Sequence, residues 1–203
     1  MNKRDWNNIT LKDWYEIQNI LSVEDEYTTF NLLDYLYWID SSNMPLVEVY
    51  KYTNALSFLN NTEVYKTIQL EDKYTINGTT YVGFIDITKI SVGQFIDYKN
   101  YTKETPIKYE DVLSVFIIPE GHNYNDGYDM GKVKEDMLEL PFIVCQKCAF
   151  FLLKQLETFA QIFLFYSMKE IEKMKGIDKE KKKEVIEQME KMVSLHSELF
   201  HTY

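Results

Sequence analysis

The feature that most constrains the fold is a long apolar segment, PFIVCQKCAFFLLKQLETFAQIFLFYSM, at residues 141–168. On a helical wheel its polar positions form one narrow seam, and apolar residues occupy most of the circumference. Such a helix must be wrapped by other elements. We therefore expect a dominant helix from Pro141 to Lys175, ended by Gly176, at the centre of the fold.

Charges argue against a membrane span at this segment. Lys147, Lys154 and Glu157 interrupt it, and the charge-free run that follows is far shorter than the ~20 residues that cross a bilayer. The N-terminal sequence MNKRDWNNITL has a basic pair but no apolar core behind it. The sequence therefore predicts a buried helix of a soluble protein, without a secretion signal or a membrane anchor.

The net charge of −10 is unevenly distributed over the 203 residues. Residues 1–140 contain 12 Lys+Arg and 23 Asp+Glu, a net charge of −11, whereas residues 141–203 contain 10 and 9, a net charge of +1. An acidic surface repels phosphate at long range. We expect no sequence-specific nucleic-acid binding.

Three helices are predicted in the first 60 residues. Thr10 with Asp13, and Ser22 with Asp25, have the spacing of a capping box, in which an N-cap side chain and an acidic side chain three residues later satisfy helix N–H groups. The second of these helices should extend to about residue 40. Pro45 is well placed in the first turn of the third helix.

A change of period after residue 60 indicates strands. The sequence EVYKTIQL alternates apolar and polar residues from Val64 to Leu70. Asn77 and Gly78 lie between two β-prone segments, the strongest short signal for a hairpin. The sequence predicts a small antiparallel sheet at residues 64–87.

Two more helices and a loop follow. In SVGQFIDYKNYT, residues 91–102, Ser91 and Gln94 form a capping box, and Val92, Phe95 and Ile96 lie on one side of the helix. YEDVLSVFIIPEG predicts a helix stopped by a proline, EGHNYNDGYDMGK a polar loop, and KVKEDMLEL a further helical turn or two.

The Cys145-x-x-Cys148 motif could be a redox pair or half of a zinc site. Cys145 lies a full turn beyond Pro141, no strand precedes it, and the chain has no further cysteine to complete a zinc site. With only two cysteines, a disulfide scaffold is excluded and a reducing compartment fits. Both cysteines are predicted to pack in the core.

No other motif indicates chemistry. Aligning Gly127 with the glycine of a calcium loop puts His122 and Val133 at positions that need carboxylates, so the match fails. The three histidines are scattered, and no glycine-rich phosphate loop occurs. We predict no metal, no cofactor and no catalytic residue, and hence that the chain is not an enzyme.

The C-terminal segment predicts an amphipathic helix with Asp178 as N-cap. Val185, Met189, Met192 and His196 recur at helical spacing. This helix, residues 176–203, is treated as separate from a helix-rich domain at residues 1–175, and it either folds back or docks on a partner. The fold class is therefore α+β, predominantly α-helical, with a small antiparallel hairpin sheet and a long central helix.

Aromatic and methionine-rich surfaces are the candidate contact sites. The pKa of an unperturbed tyrosine is about 10, so the tyrosines are assigned packing or contact roles rather than acid–base roles. The predicted partner contacts are Tyr98, Tyr101, Tyr124, Tyr128, Met189, Met192, Val193 and Phe200.

Five stretches stand out within residues 9–168: ITLKDWYEI, SVGQFIDYKNY, VLSVFIIP, the Tyr/Gly/Asp loop and LPFIVCQKCAFFLLKQLETF. Together they resemble small proteins encoded in the structural modules of tailed phages of gut Bacteroidetes, including crAss-like phages. The resemblance implies a virion tail or connector ring protein, with copies of itself and neighbouring virion proteins as partners, assembled in the bacterial cytoplasm. The alternative it implies is a tail assembly chaperone absent from the mature virion. It carries over no functional residues.

Overall fold

The computed structural model describes residues 5–23, 27–83, 90–103, 106–124, 126–173, 178, 180–181 and 183–188. Within them the chain is predominantly helical with one small antiparallel sheet, which confirms the predicted fold class. The helices are α1 (Leu11–Ser22), α2 (Thr28–Tyr37), α3 (Leu46–Ala55), α4 (Val92–Tyr101), α5 (Tyr109–Phe116), α6 (Met130–Met137) and α7 (Phe142–Lys173). The strands are β1 (Lys73–Ile76), β2 (Thr79–Gly83) and β3 (Ile117–Pro119).

The contacts divide the chain into two compact units. The first comprises residues 1–84 and 91–149, and the second comprises residues 85–90 and 150–203. The division falls inside α7. The predicted boundary between residues 175 and 176 lies outside the described residues and stays a prediction.

The capping box of α1 is confirmed. Thr10 Oγ1 accepts from the Asp13 N–H at 3.1 Å, and Asp13 Oδ2 accepts from the Thr10 N–H at 3.0 Å. The chain around this cap also pairs with the start of α7, since the Phe142 N–H donates to the Ile9 carbonyl at 2.7 Å and the Leu11 N–H to the Leu140 carbonyl at 2.8 Å. These bonds attach the N-terminal segment to the longest helix.

The predicted cap of α2 is wrong at Ser22. That residue is the last residue of α1, and its hydroxyl donates to the Asn19 carbonyl at 2.7 Å instead of capping a new helix. The helix α2 begins at Thr28 after Tyr27, with no side-chain cap hydrogen bond, and ends at Tyr37 rather than near residue 40. Asp25 lies outside the described residues.

The predicted hairpin is confirmed, and the predicted strand before it is wrong. Asn77 and Gly78 have φ values of 49° and 79° and connect β1 to β2 as a two-residue turn. Residues 62–66 form a 3-10 helix instead of a strand. Val64, Tyr65, Ile68 and Leu70 are partly buried against the core, so their apolar character serves packing rather than strand pairing.

The third strand corrects a second prediction. The helix α5 ends at Phe116, and Ile117–Pro119 pairs antiparallel with β2, with Ile118 opposite Val82. Proline disfavours the helical conformation of the residue before it, so the helix must end before Ile118 and the chain continues extended. The sheet order is β1-β2-β3.

The first unit is packed around an aromatic group at the start of α7. The Phe142 ring stacks on Trp14 with centroids 4.3 Å apart and lies 5.7 Å from Trp6 and 6.1 Å from Tyr109. Trp6 also donates from Nε1 to the Phe58 carbonyl at 2.8 Å. The N-terminal segment and three helices therefore meet at one ring.

The helix α7 confirms the predicted long helix as far as Lys173; its predicted end at Gly176 lies outside the described residues. The expectation that other elements wrap this helix does not hold at Phe165 and Tyr166, which are 54% and 64% exposed. Within the described part of the chain, none of the helices combines the length and the apolar character that a membrane crossing needs. Residues 183–188 are helical, as predicted.

Candidate functional site

Tyr98 is not the partner contact that the sequence predicted. Its side chain is only 2% exposed, and its ring packs edge-on against Phe116 at 5.7 Å, between α4 and α5. Gln94 strengthens the same contact, because its Nε2 donates to the Val115 carbonyl at 2.9 Å while its Oε1 completes the predicted capping box with Ser91. Tyr98 therefore has the packing role.

Three other predicted contacts, Tyr101, Tyr124 and Tyr128, lie close together, and we call them the loop cluster. The Tyr124 hydroxyl donates to Asp97 Oδ2 at 2.7 Å, which attaches the 120–129 loop to α4. Lys134 Nζ donates to the Tyr101 hydroxyl at 3.0 Å and lies 4.3 Å from the centre of its ring. All three rings are half-buried.

The loop cluster is also held by an ion pair. Lys134 Nζ lies 2.7 Å from Asp111 Oδ1 on α5. Burial lowers the pKa of Lys134, and the hydrogen bonds that its ammonium donates to Asp111 and Tyr101 raise it. The net result is a raised pKa, so this lysine remains charged at neutral pH. The cation is used within the fold, between α4, α5 and α6.

Tyrosine–carboxylate hydrogen bonds recur across the first unit. Four phenols each donate to a carboxylate: Tyr15 to Glu110 at 2.6 Å, Tyr35 to Asp13 at 2.9 Å, Tyr124 to Asp97 at 2.7 Å, and Tyr81 to Asp136. Burial first, and the carboxylate second, raise the pKa of Tyr15, Tyr81 and Tyr124. A neutral phenol beside an ionised carboxylate donates a stable hydrogen bond and does not transfer its proton near neutrality.

The most buried of these carboxylates belongs to Asp136 on α6, which is 2% exposed. It accepts from the Tyr81 hydroxyl, from Asn77 Nδ2 at 2.8 Å and from Lys132 Nζ at 3.0 Å. We call these four residues the Asp136 cluster. It attaches the β1–β2 hairpin to α6.

The Asp136 cluster predicts acid-sensitive stability. Burial raises the pKa of Asp136, and the hydrogen bonds that its carboxylate accepts from Tyr81, Asn77 and Lys132 lower it. The net pKa lies below the ordinary value of an aspartate. The folded chain thus binds this proton more weakly than the unfolded chain, so the cluster stabilises the fold fully above about pH 4 and loses its contribution as the pH falls through the folded-state pKa. The urea concentration at the unfolding midpoint should fall as the pH is lowered, and it should fall less in Asp136→Asn. An equal decrease of the midpoint in both proteins would contradict this.

The two cysteines are buried, as predicted. Cys145 and Cys148 both have no exposed surface. Burial raises the pKa of Cys148 to about 12 and places the pKa of Cys145 well above its ordinary value. Both thiols are therefore protonated at neutral pH and pack as small apolar groups.

No protein-family model, curated protein or solved structure matches this chain. The assignment of function therefore depends on the geometry of the chain itself. Among the described residues, no group of three or more His, Cys, Asp or Glu side chains is placed to bind a metal ion. An open concavity of about 420 Å³ is lined by charged side chains, those of Asp178, Glu180, Lys181, Lys183, Glu184 and Glu187.

Two exposed apolar surfaces stand out on the first unit. The α3 face consists of Leu46, Val47 and Tyr50, each at least 65% exposed. The α4 face consists of Val92, Phe95 and Ile96, which are 76%, 39% and 52% exposed.

Both faces have helical spacing. The sequence placed the residues of the α4 face on one side of a helix, but it assigned partner contact to the tyrosines instead. A helix with Tyr98 buried on one side and the α4 face exposed on another is apolar over much of its circumference.

The remaining predicted contacts, Met189, Met192, Val193 and Phe200, lie outside the described residues. Val185, on the described part of the same segment, is 43% exposed. In the described part of the chain, the Asp136 carboxylate, the tyrosine hydroxyls bonded to carboxylates and the Lys134 ammonium all make hydrogen bonds within the fold. Large apolar side chains, by contrast, are exposed. Exposed apolar surfaces of this kind are typical of sites of protein contact.

Proposed function

We propose that the chain is a structural subunit of a phage tail or head-to-tail connector, which assembles with copies of itself into a ring. The observation that carries the proposal is the pair of exposed apolar faces on α3 and α4. A ring with heterologous contacts needs two different patches on each subunit, one for each neighbour. In this ring the α3 face of one copy packs against the α4 face of the next.

The charge of the first unit sets the conditions for assembly. Residues 1–84 and 91–149 contain 12 Lys+Arg and 22 Asp+Glu, so this unit carries the whole net charge of −10. Neighbouring copies repel each other, and salt screens that repulsion over about 10 Å at 0.1 M. The ring should therefore form more readily as the salt concentration rises.

Variants of the two faces test the contact between copies. Phe95→Ser with Ile96→Ser removes the α4 face, and Val47→Ser with Tyr50→Ser removes the α3 face. Each variant alone should be monomeric. Its stability should fall by at most about 2 kcal/mol, because the replaced side chains are already 39–70% exposed. An equimolar mixture should form a dimer, since one intact α3 face then meets one intact α4 face.

Sedimentation velocity distinguishes the outcomes. Val82→Thr, at an exposed apolar side chain outside both faces, serves as the control and should assemble like the wild type. Either face variant alone assembling like the wild type would refute the proposed pairing of faces, as would a mixture that stays monomeric.

Purified particles of the phage that encodes the chain test the virion role. Quantitative mass spectrometry should find many copies per particle. Absence from particles would refute the ring and favour the tail assembly chaperone. The exposed Phe165 and Tyr166 in the second unit, whose 10 Lys+Arg and 10 Asp+Glu balance, would then be part of a client-binding surface.

A further inference from the structure

The β1–β2 turn combines a reactive sequence with an exposed position. Asn77 is followed by Gly78 in a two-residue turn closed by the pairing of Ile76 with Thr79. Asn77 is an exposed residue, and apart from Gly78 and its two chain neighbours no residue has an atom within 4 Å of the position that a Cβ at Gly78 would occupy. Water therefore reaches the turn.

The side chain of Asn77 is also one of the three donors to a buried carboxylate. Its Nδ2 donates to Asp136 Oδ1 at 2.8 Å, while the other two hydrogen bonds come from Tyr81 and Lys132. The hairpin thus depends on a carboxamide at residue 77 for one of its attachments to α6.

We propose that Asn77 is a self-modification site, at which deamidation releases the hairpin turn from α6. The Gly78 backbone nitrogen attacks Cγ of Asn77, forming a C–N bond, while its proton passes to solvent base. The bond from Cγ to Nδ2 breaks, and Nδ2 takes up one proton from solvent and leaves as ammonia. Glycine favours this attack because it has no Cβ to obstruct the approach and allows wide backbone freedom.

Water completes the reaction. It adds to either carbonyl of the five-membered imide and breaks that carbonyl's bond to nitrogen, leaving aspartate or isoaspartate. In total one water is consumed and one ammonia is released, with no oxidant or reductant. Asp136 opposes the first step, since its hydrogen bond holds the carboxamide in place.

The product cannot make the same contacts. At residue 77 a donor becomes a carboxylate, which faces the ionised and buried Asp136 at hydrogen-bond distance. Two ionised carboxylates at this separation repel each other strongly. Isoaspartate also inserts a methylene into the main chain, so the pairing of Ile76 with Thr79 cannot close over two residues.

The full chain, aged at mildly alkaline pH, tests the proposal. At intervals, peptide mapping by mass spectrometry follows residues 73–83, and urea unfolding follows the same samples. We expect the Asn77 peptide to show deamidation before peptides that contain other asparagines, with a less stable population growing in step. An unmodified Asn77 after a free peptide of the same sequence has fully converted, or modification without loss of stability, would overturn the proposal.

Two variants separate modification from damage elsewhere. Asn77→Gly accepts the same backbone conformation and cannot deamidate, so its stability should start lower and not drift with time.

Asn77→Asp reproduces one product, and at neutral pH its folded-to-unfolded ratio should be at least about tenfold lower, or about 1.4 kcal/mol. The difference should shrink in mild acid, as the new carboxyl is protonated and donates to Asp136. An Asn77→Asp protein as stable as the wild type at neutral pH would contradict the proposed consequence.

Discussion

Replacing Phe142 by alanine should lower the free energy of unfolding by about 4 kcal/mol, which is typical of removing a buried aromatic ring. The Phe142 ring is 4% exposed, stacks on Trp14 and lies beside Trp6 and Tyr109. Its loss leaves a cavity at the point where α1, α5, α7 and the N-terminal segment meet. Urea unfolding followed by tryptophan fluorescence measures the change, because two of the three tryptophans lie at this ring.

Phe165 on the same helix is the matched control. It is 54% exposed, and its ring lies against Tyr166 and Lys169. Phe165→Ala should cost at most about 1 kcal/mol. A similar decrease in the free energy of unfolding in Phe142→Ala and Phe165→Ala would show that the core is not centred on the start of α7.

Removing the carboxylate of Asp136 should cost about 3 kcal/mol in Asp136→Ala. The Tyr81 hydroxyl would remain buried without its acceptor, and hydrogen bonds to a charged group contribute more than neutral ones. The hairpin would also lose its attachment to α6 through Asn77. Chemical denaturation measures the loss, and hydrogen exchange should rise in β1 and β2 more than in α1.

Glu135→Ala provides the comparison for Asp136→Ala. Glu135 precedes Asp136 on α6 but is exposed. Its replacement should change stability by no more than about 0.5 kcal/mol. If both variants were equally stable, the Asp136 cluster would contribute nothing to the fold.

Helix caps and turns formed by residues within four positions of each other could be predicted from the sequence. The Thr10–Asp13 and Ser91–Gln94 caps and the Asn77–Gly78 turn all form as predicted. In each, the interacting groups are neighbours in the chain, so the local sequence determines the geometry. Ser22 shows the limit of this reasoning, because a serine can lie in the last turn of one helix or cap the next helix, and the local sequence does not distinguish the two.

Features that depend on distant partners were missed. Tyr15 and Glu110 are 95 residues apart, and Tyr81 and Asp136 are 55 apart, so nothing near either tyrosine indicates its acceptor. Pro119 explains why the chain is extended at Ile117–Pro119, but its pairing as a strand depends on β2, which is distant in the sequence.

The candidate contact surface was missed for a related reason. A helical wheel shows which residues share a side, but α4 is apolar on both sides, and only the packing of Tyr98 on α5 determines which side is exposed. The sequence pattern favoured Tyr98 and Tyr101 as the contacts in this segment, whereas the exposed side chains are those of Val92, Phe95 and Ile96.

The solution mass of the full chain shows whether copies of the protein associate, since a protein that acts through its exposed apolar faces must associate through them. Sedimentation at physiological salt should give a multiple of 24.3 kDa for the wild type and 24.3 kDa for the variant with Phe95→Ser and Ile96→Ser. A wild type that sediments at 24.3 kDa at every concentration and salt condition would contradict the account.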